Sequence, residues 1–120
     1  MMKPNWILVS CSGTLGKTAL SNDDYKGVIG THDLIRIIAD EKEIPLGYLY
    51  AFLSSKFGYS LLVKPSYGGV VKHIEPHHIE NLPVPTLSQS KQKKIHDLIV
   101  EASKLRVNGN KLFKEAKEIF

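Results

Sequence analysis

Cys11 is the only cysteine among the 120 residues, so no internal disulfide framework is possible, and a reducing compartment suits the chain. Long apolar runs are also missing. A run such as Trp6 to Val9 falls far short of the roughly 20 residues that cross a bilayer. Met1-Met2-Lys3-Pro4 is followed by no apolar stretch with a small-residue cleavage site. No membrane contact is therefore expected, and the chain is placed in the cytoplasm. Catalytic signatures are equally scarce, with no Ser-His-Asp order, no paired-carboxylate motif and no nucleophile elbow. No internal repeat or low-complexity tract occurs. An excess of one charge is absent from most of the chain: residues 1–87 hold 8 Lys/Arg against 8 Asp/Glu, while 88–120 hold 8 against 4. The formal charge of +4 is thus a property of the tail, and net charge alone does not establish nucleic-acid binding. Within the first part, 21–43 is acidic, whereas Lys3 and Lys17 stand unopposed in 1–20, so a folded chain could segregate one basic and one acidic face.

What is present is a globular composition, 42% hydrophobic and 23% charged, long enough to bury a core without crosslinks. Trp6-Ile7-Leu8-Val9-Ser10 reads as a strand. Lys17 to Leu20 returns beside it, with Ser12-Gly13-Thr14 as the turn. Leu34-Ile35-Arg36-Ile37-Ile38 is continuous and β-branched, as a buried strand is. The period then changes: Pro45 opens, and Leu46, Leu49, Tyr50, Leu53 and Phe57 follow at helical spacing up to Gly58, predicting one amphipathic helix of about three turns. Tyr48, Tyr50, Phe52 and Phe57 are assigned to the core. Leu61 to Lys64 and Gly69 to Ile74 are predicted as short strands around the turn Pro65-Ser66-Tyr67-Gly68. Glu75-Pro76 opens a single helical turn over His77-His78-Ile79, and Asn81-Leu82-Pro83-Val84-Pro85 is extended because each proline disfavours helix in the residue before it.

From Ser88 the sequence turns proline-free and heptad-like. With Ile95 at position a, the residues Ile95, Leu98, Ala102, Leu105, Gly109, Leu112, Ala116 and Ile119 occupy successive a and d sites, widened at e by Ile99, Phe113 and Phe120. Continuous to Phe120, this helix is roughly 50 Å long, more than so small a body covers. Ile95, Leu98, Ala102, Leu105, Leu112, Ala116 and Ile119 are therefore assigned to an interhelical, coiled-coil seam. Ala102, Gly109 and Ala116 allow close approach, although Gly109 costs about 1 kcal/mol of helix propensity. The whole predicts an α+β fold: short, mostly antiparallel strands around one helix over 1–87, then a long helix over 88–120.

Three groupings hint at chemistry. Cys11-Ser12-Gly13-Thr14-Leu15-Gly16-Lys17-Thr18 ends like a phosphate-binding P-loop, but the first glycine of that pattern falls on Cys11 and a strand-like stretch follows instead of a helix. A plain glycine hairpin is one alternative, and a turn that presents Ser12, Thr14 and Lys17 to DNA phosphates or bases is another. His73, His77 and His78 cluster, but Pro76 interrupts the helical spacing that metal ligation wants and no cysteine ligand is near, so capping or surface histidines are expected and no metal. Lys64, Ser66, Tyr67 and Lys72 frame an exposed turn in which a tyrosine and flanking lysines could meet base edge and phosphate together. An ordinary solvated loop is the competing reading.

Three segments in order, Trp6 through Gly16, Gly47-Tyr48-Leu49-Tyr50-Ala51-Phe52-Leu53-Ser54-Ser55, and Ile79-Glu80-Asn81-Leu82-Pro83-Val84-Pro85 ahead of Gln89 to Gln92 and a long helix, resemble the later part of a target recognition domain with its conserved helix in type I restriction-modification specificity subunits. The resemblance spans nearly the whole chain. It implies a non-catalytic subunit that reads double-stranded DNA, each domain taking half of a split target, and that directs separate modification (methyltransferase) and restriction subunits. It also implies that the long helix pairs antiparallel with another, in a homodimer or with a second unit. S-adenosylmethionine and ATP belong to the partners in that family, so no cofactor is expected here. A full specificity subunit carries two such units, with recognition sequence ahead of the segment that begins here at Met1. The chain thus corresponds to a fragment, a truncated product or a half-subunit. A helix-mediated assembly module that no longer reads DNA is the alternative.

Overall fold

The computed structural model describes residues 5–10, 17–21, 34–63 and 74–120. Three strands, β1 (Ile7–Ser10), β2 (Thr18–Leu20) and β3 (Leu34–Ile37), form an antiparallel sheet in the order β2-β1-β3. The most apolar strand takes the centre. Ile7 faces Leu20 on one side and Ile37 on the other, and Val9 faces Thr18 and Ile35. This alternation puts Ile7 and Val9, both fully buried, into the core with Leu20, and turns Leu8, Ala19 and Arg36 to the opposite face. β3 departs from the buried strand expected of its β-branched run. It is an edge strand with Arg36 exposed at its middle and Ile38 exposed just beyond its end, because the period-2 pleat gives one of its faces to solvent.

The entry to β1 is held by Ser21. Its hydroxyl accepts from the Trp6 N–H at 2.8 Å, its own N–H donates to the Trp6 carbonyl at 2.8 Å, and its carbonyl accepts from the Asn5 N–H at 3.0 Å. Burial of this serine is tolerated because these bonds replace water.

After a turn in which the Asp40 carboxylate accepts from the Lys42 N–H at 3.2 Å, α1 (Leu46–Ser54) begins behind Pro45. The single helix expected up to Gly58 is broken at Ser55, and α2 (Lys56–Val63) follows. The Ser55 hydroxyl donates to the Phe52 carbonyl at 2.6 Å and accepts from the Gly58 N–H at 3.2 Å, closing one helix and capping the next. Leu61 to Val63, expected as a strand, are therefore helical, and Leu62 rather than an alternating pattern reaches the core. Gly58 is no terminal glycine: a Cβ there would lie 2.0 Å from the Phe52 carbonyl oxygen, so the residue permits the close turn of α2 against α1. Phe57, assigned to the core, is 79% exposed on the outer side of that turn, whereas Tyr48 is buried and Tyr50 and Phe52 are half-buried. The second expected strand, Gly69 to Ile74, lies outside the described residues except for Ile74, which is buried in the core.

α3 (Pro76–Glu80) is the expected single turn. The Glu75 carboxylate takes the His78 N–H while His78 Nδ1 accepts from the Glu75 N–H at 2.9 Å, a reciprocal cap that makes His78 a capping histidine. The extended segment that follows is tied down by the Tyr48 hydroxyl, which donates to the Pro85 carbonyl. α4 (Gln89–Glu118) is one unbroken helix of 30 residues, opened by the Ser88 hydroxyl accepting from the Lys91 N–H at 3.3 Å. α1 packs against β2, α2 and α4. The architecture is α+β. No helix among the described residues is long and apolar enough to cross a membrane.

Candidate nucleic-acid interface

The base of the first hairpin is built by two bonds between its arms. The Lys17 N–H donates to the Ser10 hydroxyl and the Ser10 N–H to the Lys17 carbonyl, both at 2.9 Å. This pins the Lys17 backbone while its side chain stays exposed. Thr18–Leu20 then runs as a strand antiparallel to β1. A P-loop needs the N-terminus of a helix at that point to gather phosphate on backbone amides, whereas Lys17 and Thr18, which close the lookalike motif, belong to the returning arm beside β1. Of the residues proposed from sequence for DNA contact, Lys17 alone is described; Ser12, Thr14, Lys64, Ser66, Tyr67 and Lys72 lie outside the described residues.

The sheet adds residues that sequence reasoning missed. Arg36 pairs across β1 with Leu8, and its guanidinium lies 5.9 Å from the centre of the Trp6 ring, within cation–π range. The available signal was a lone arginine at the centre of Leu34-Ile35-Arg36-Ile37-Ile38, which marks a solvent face within an otherwise apolar strand. His77 and His78 stack with ring centroids 4.1 Å apart. Since His78 Nδ1 is already engaged at the cap, the pair is organised as a helix start. Among the described residues no three His, Cys, Asp or Glu side chains gather as a metal set.

The heptad residues of α4 divide between two directions. Ile95 is half-buried, and Ile99, at an e position, packs against the core beneath Leu20 and Tyr50. His96 sits on the same docked side, its Nδ1 accepting from the Gly47 N–H at 2.8 Å. That bond satisfies a first-turn amide of α1, which has no side-chain cap of its own. Leu98 and Leu105, each 62% exposed, are left uncovered by the body with Leu112, Ala116 and Ile119, whereas Ala102 lines the cleft that Ile99 shares with Leu20 and Tyr50. A Cβ on Gly109 would meet no atom within 4 Å, so nothing among the described residues requires glycine there.

The model of the type I restriction modification DNA specificity domain matches residues 2–109. No curated protein and no solved structure matched the chain. The matched span takes in the sheet, α1 to α3 and most of α4, and the chain belongs to the family of type I restriction modification DNA specificity domains.

Proposed function

We propose that this chain reads double-stranded DNA for a cytoplasmic type I restriction-modification complex, without catalysis or cofactor of its own, and directs partner modification and restriction subunits to the target. Membership of the specificity-domain family carries the reading. Residues 1–87 act as the DNA-reading body and 88–120 as the pairing helix. Lys17 and the segments bearing Ser12, Thr14, Lys64, Ser66, Tyr67 and Lys72 meet phosphates and groove edges. Phosphate contacts give affinity and groove contacts give selection.

The test is fluorescence anisotropy of a labelled mixed-sequence duplex across a salt series, with the chain alone and with its modification subunit. Log affinity is expected to fall linearly with log salt, and Lys17→Gln to flatten the slope by about 0.9. A sequence preference is expected to sharpen when the partner is present. A folded chain that binds no duplex in either setting sinks the DNA-reading claim and leaves the assembly module.

That second reading has its own support in the outward row of α4. Leu98, Leu105 and Leu112 repeat one heptad apart without cover from the body, the pattern of a helix that pairs with another. Gly109→Ala is expected to stabilise the isolated helix by about 1 kcal/mol and, by thickening the seam, to weaken helix-mediated association. Circular dichroism and sedimentation velocity read the two opposed effects. Association unchanged by both Gly109→Ala and Leu105→Lys removes the seam from this row.

A further inference from the structure

Trp6, Leu8, Lys17 and Arg36 share one face of the sheet; Leu8 at its centre is buried, and the two cations stand exposed on the flanking strands. β1 is central, and its residues Trp6, Leu8 and Ser10 alternate away from Ile7 and Val9. Arg36 lies opposite Leu8 on one neighbour, while Lys17 lies opposite Ser10 on the other, joined to it at 2.9 Å. Both cations are exposed, and neither enters an ion pair among the described residues. Two strand spacings across and a two-residue offset along the strands put their Cα atoms about 12 Å from each other, comparable with the roughly 12 Å width of the major groove. Among the described residues the acidic Asp40, Glu41 and Glu43 follow β3 past its Ile37 end, which pairs with Ile7 and lies away from Lys17.

Arg36 is also held in a particular way. Its guanidinium lies 5.9 Å from the centre of the Trp6 ring, within cation–π range, while the side chain stays exposed and so has N–H donors to offer a phosphate. Part of the side-chain ordering that a phosphate contact demands is already met in the free chain.

We infer that the exposed Arg36 edge of this sheet contacts the phosphodiester backbone of duplex DNA, with Arg36 as a phosphate ligand and Trp6 as its positioning residue. The inference rests on the DNA-reading function proposed above and adds a surface to it. A phosphate ligand sets affinity evenly across sequences and leaves base preference alone.

The experiment is the same anisotropy salt series on the full chain with Arg36→Gln, Arg36→Lys and Trp6→Leu. Arg36→Gln is expected to reduce the salt slope by about 0.9, so that the affinity lost between about 50 and 200 mM salt shrinks roughly 3-fold. Arg36→Lys keeps the slope. Trp6→Leu keeps the slope but lowers affinity about 2- to 5-fold, as loss of a cation–π platform requires. If the unaltered chain binds and Arg36→Gln leaves its slope unchanged, this surface is wrong while the parent function stands. If Trp6→Leu leaves affinity unchanged, Trp6 does not position Arg36. Failure of the unaltered chain to bind any duplex overturns the parent function and this surface together.

Discussion

Gly58→Ala is expected to lower the stability of the body by about 1–3 kcal/mol or more, seen as a fall in the urea midpoint. The added Cβ would lie 2.0 Å from the Phe52 carbonyl oxygen and 2.8 Å from Leu53 Cα. Both are backbone atoms and cannot swing aside. α2 must therefore move off the end of α1, drawing Leu62 away from Leu53, two side chains that are almost fully buried in one cluster. The Ser55 cap on the Gly58 N–H is strained by the same movement. Helix propensity acts the other way, favouring alanine by about 1 kcal/mol, so any net loss measures the steric term. An unchanged or raised midpoint would show that the two helices do not approach as closely as described.

A second large effect is expected at Gly47, where alanine would place its Cβ 2.7 Å from the His96 carbonyl oxygen and 2.9 Å from the imidazole Nδ1. α4 must then retreat from α1. The retreat breaks the bond from the Gly47 N–H to His96 and lifts Ile99 from the core. The overpacking alone costs about 1–3 kcal/mol, and a buried amide left without a partner adds a penalty of similar size. His96→Ala removes the imidazole acceptor but leaves the backbone contact, so its destabilisation is expected to be the smaller of the two. Chemical denaturation of both variants checks the order. Equal effects would mean that the imidazole, rather than close helix approach, is what Gly47 serves.

Much of this fold was legible because local signals and tertiary packing agree. Ile7, Leu8 and Val9 form a strand wherever they are buried, the prolines at 83 and 85 exclude helix, and Ser88 caps α4 as its side chain permits. The reading failed where a short apolar run fits either period. Leu61-Leu62-Val63 carries one β-branched residue, and only the Ser55 cap with the Gly58 contact decides for helix. Phe57 was misplaced for the same reason: extending α1 through Ser55 rotated it onto the wrong face. The heptad of α4 was counted correctly as an apolar stripe, but periodicity does not say how many neighbours a stripe serves. Here Ile95 and Ile99 serve the body and Leu98, Leu105 and Leu112 do not. Arg36 was visible in the sequence, whereas its stacking on Trp6 depends on strand pairing across 30 residues and has no local signature.

The manner in which α4 is fastened makes it a pointer. Near its start it is clamped through His96 and Ile99, and beyond Val107 nearly all its side chains are exposed. From Ile99 to Glu118 the rod runs about 28 Å, so a tilt of roughly 10° at the clamp sweeps the tip through about 5 Å, close to one full helical turn. Leu112, about 20 Å from Ile99, moves sideways by about 3–4 Å under the same tilt. The small Gly47 notch, though far from that tip, thus sets the direction in which the uncovered part of the rod projects.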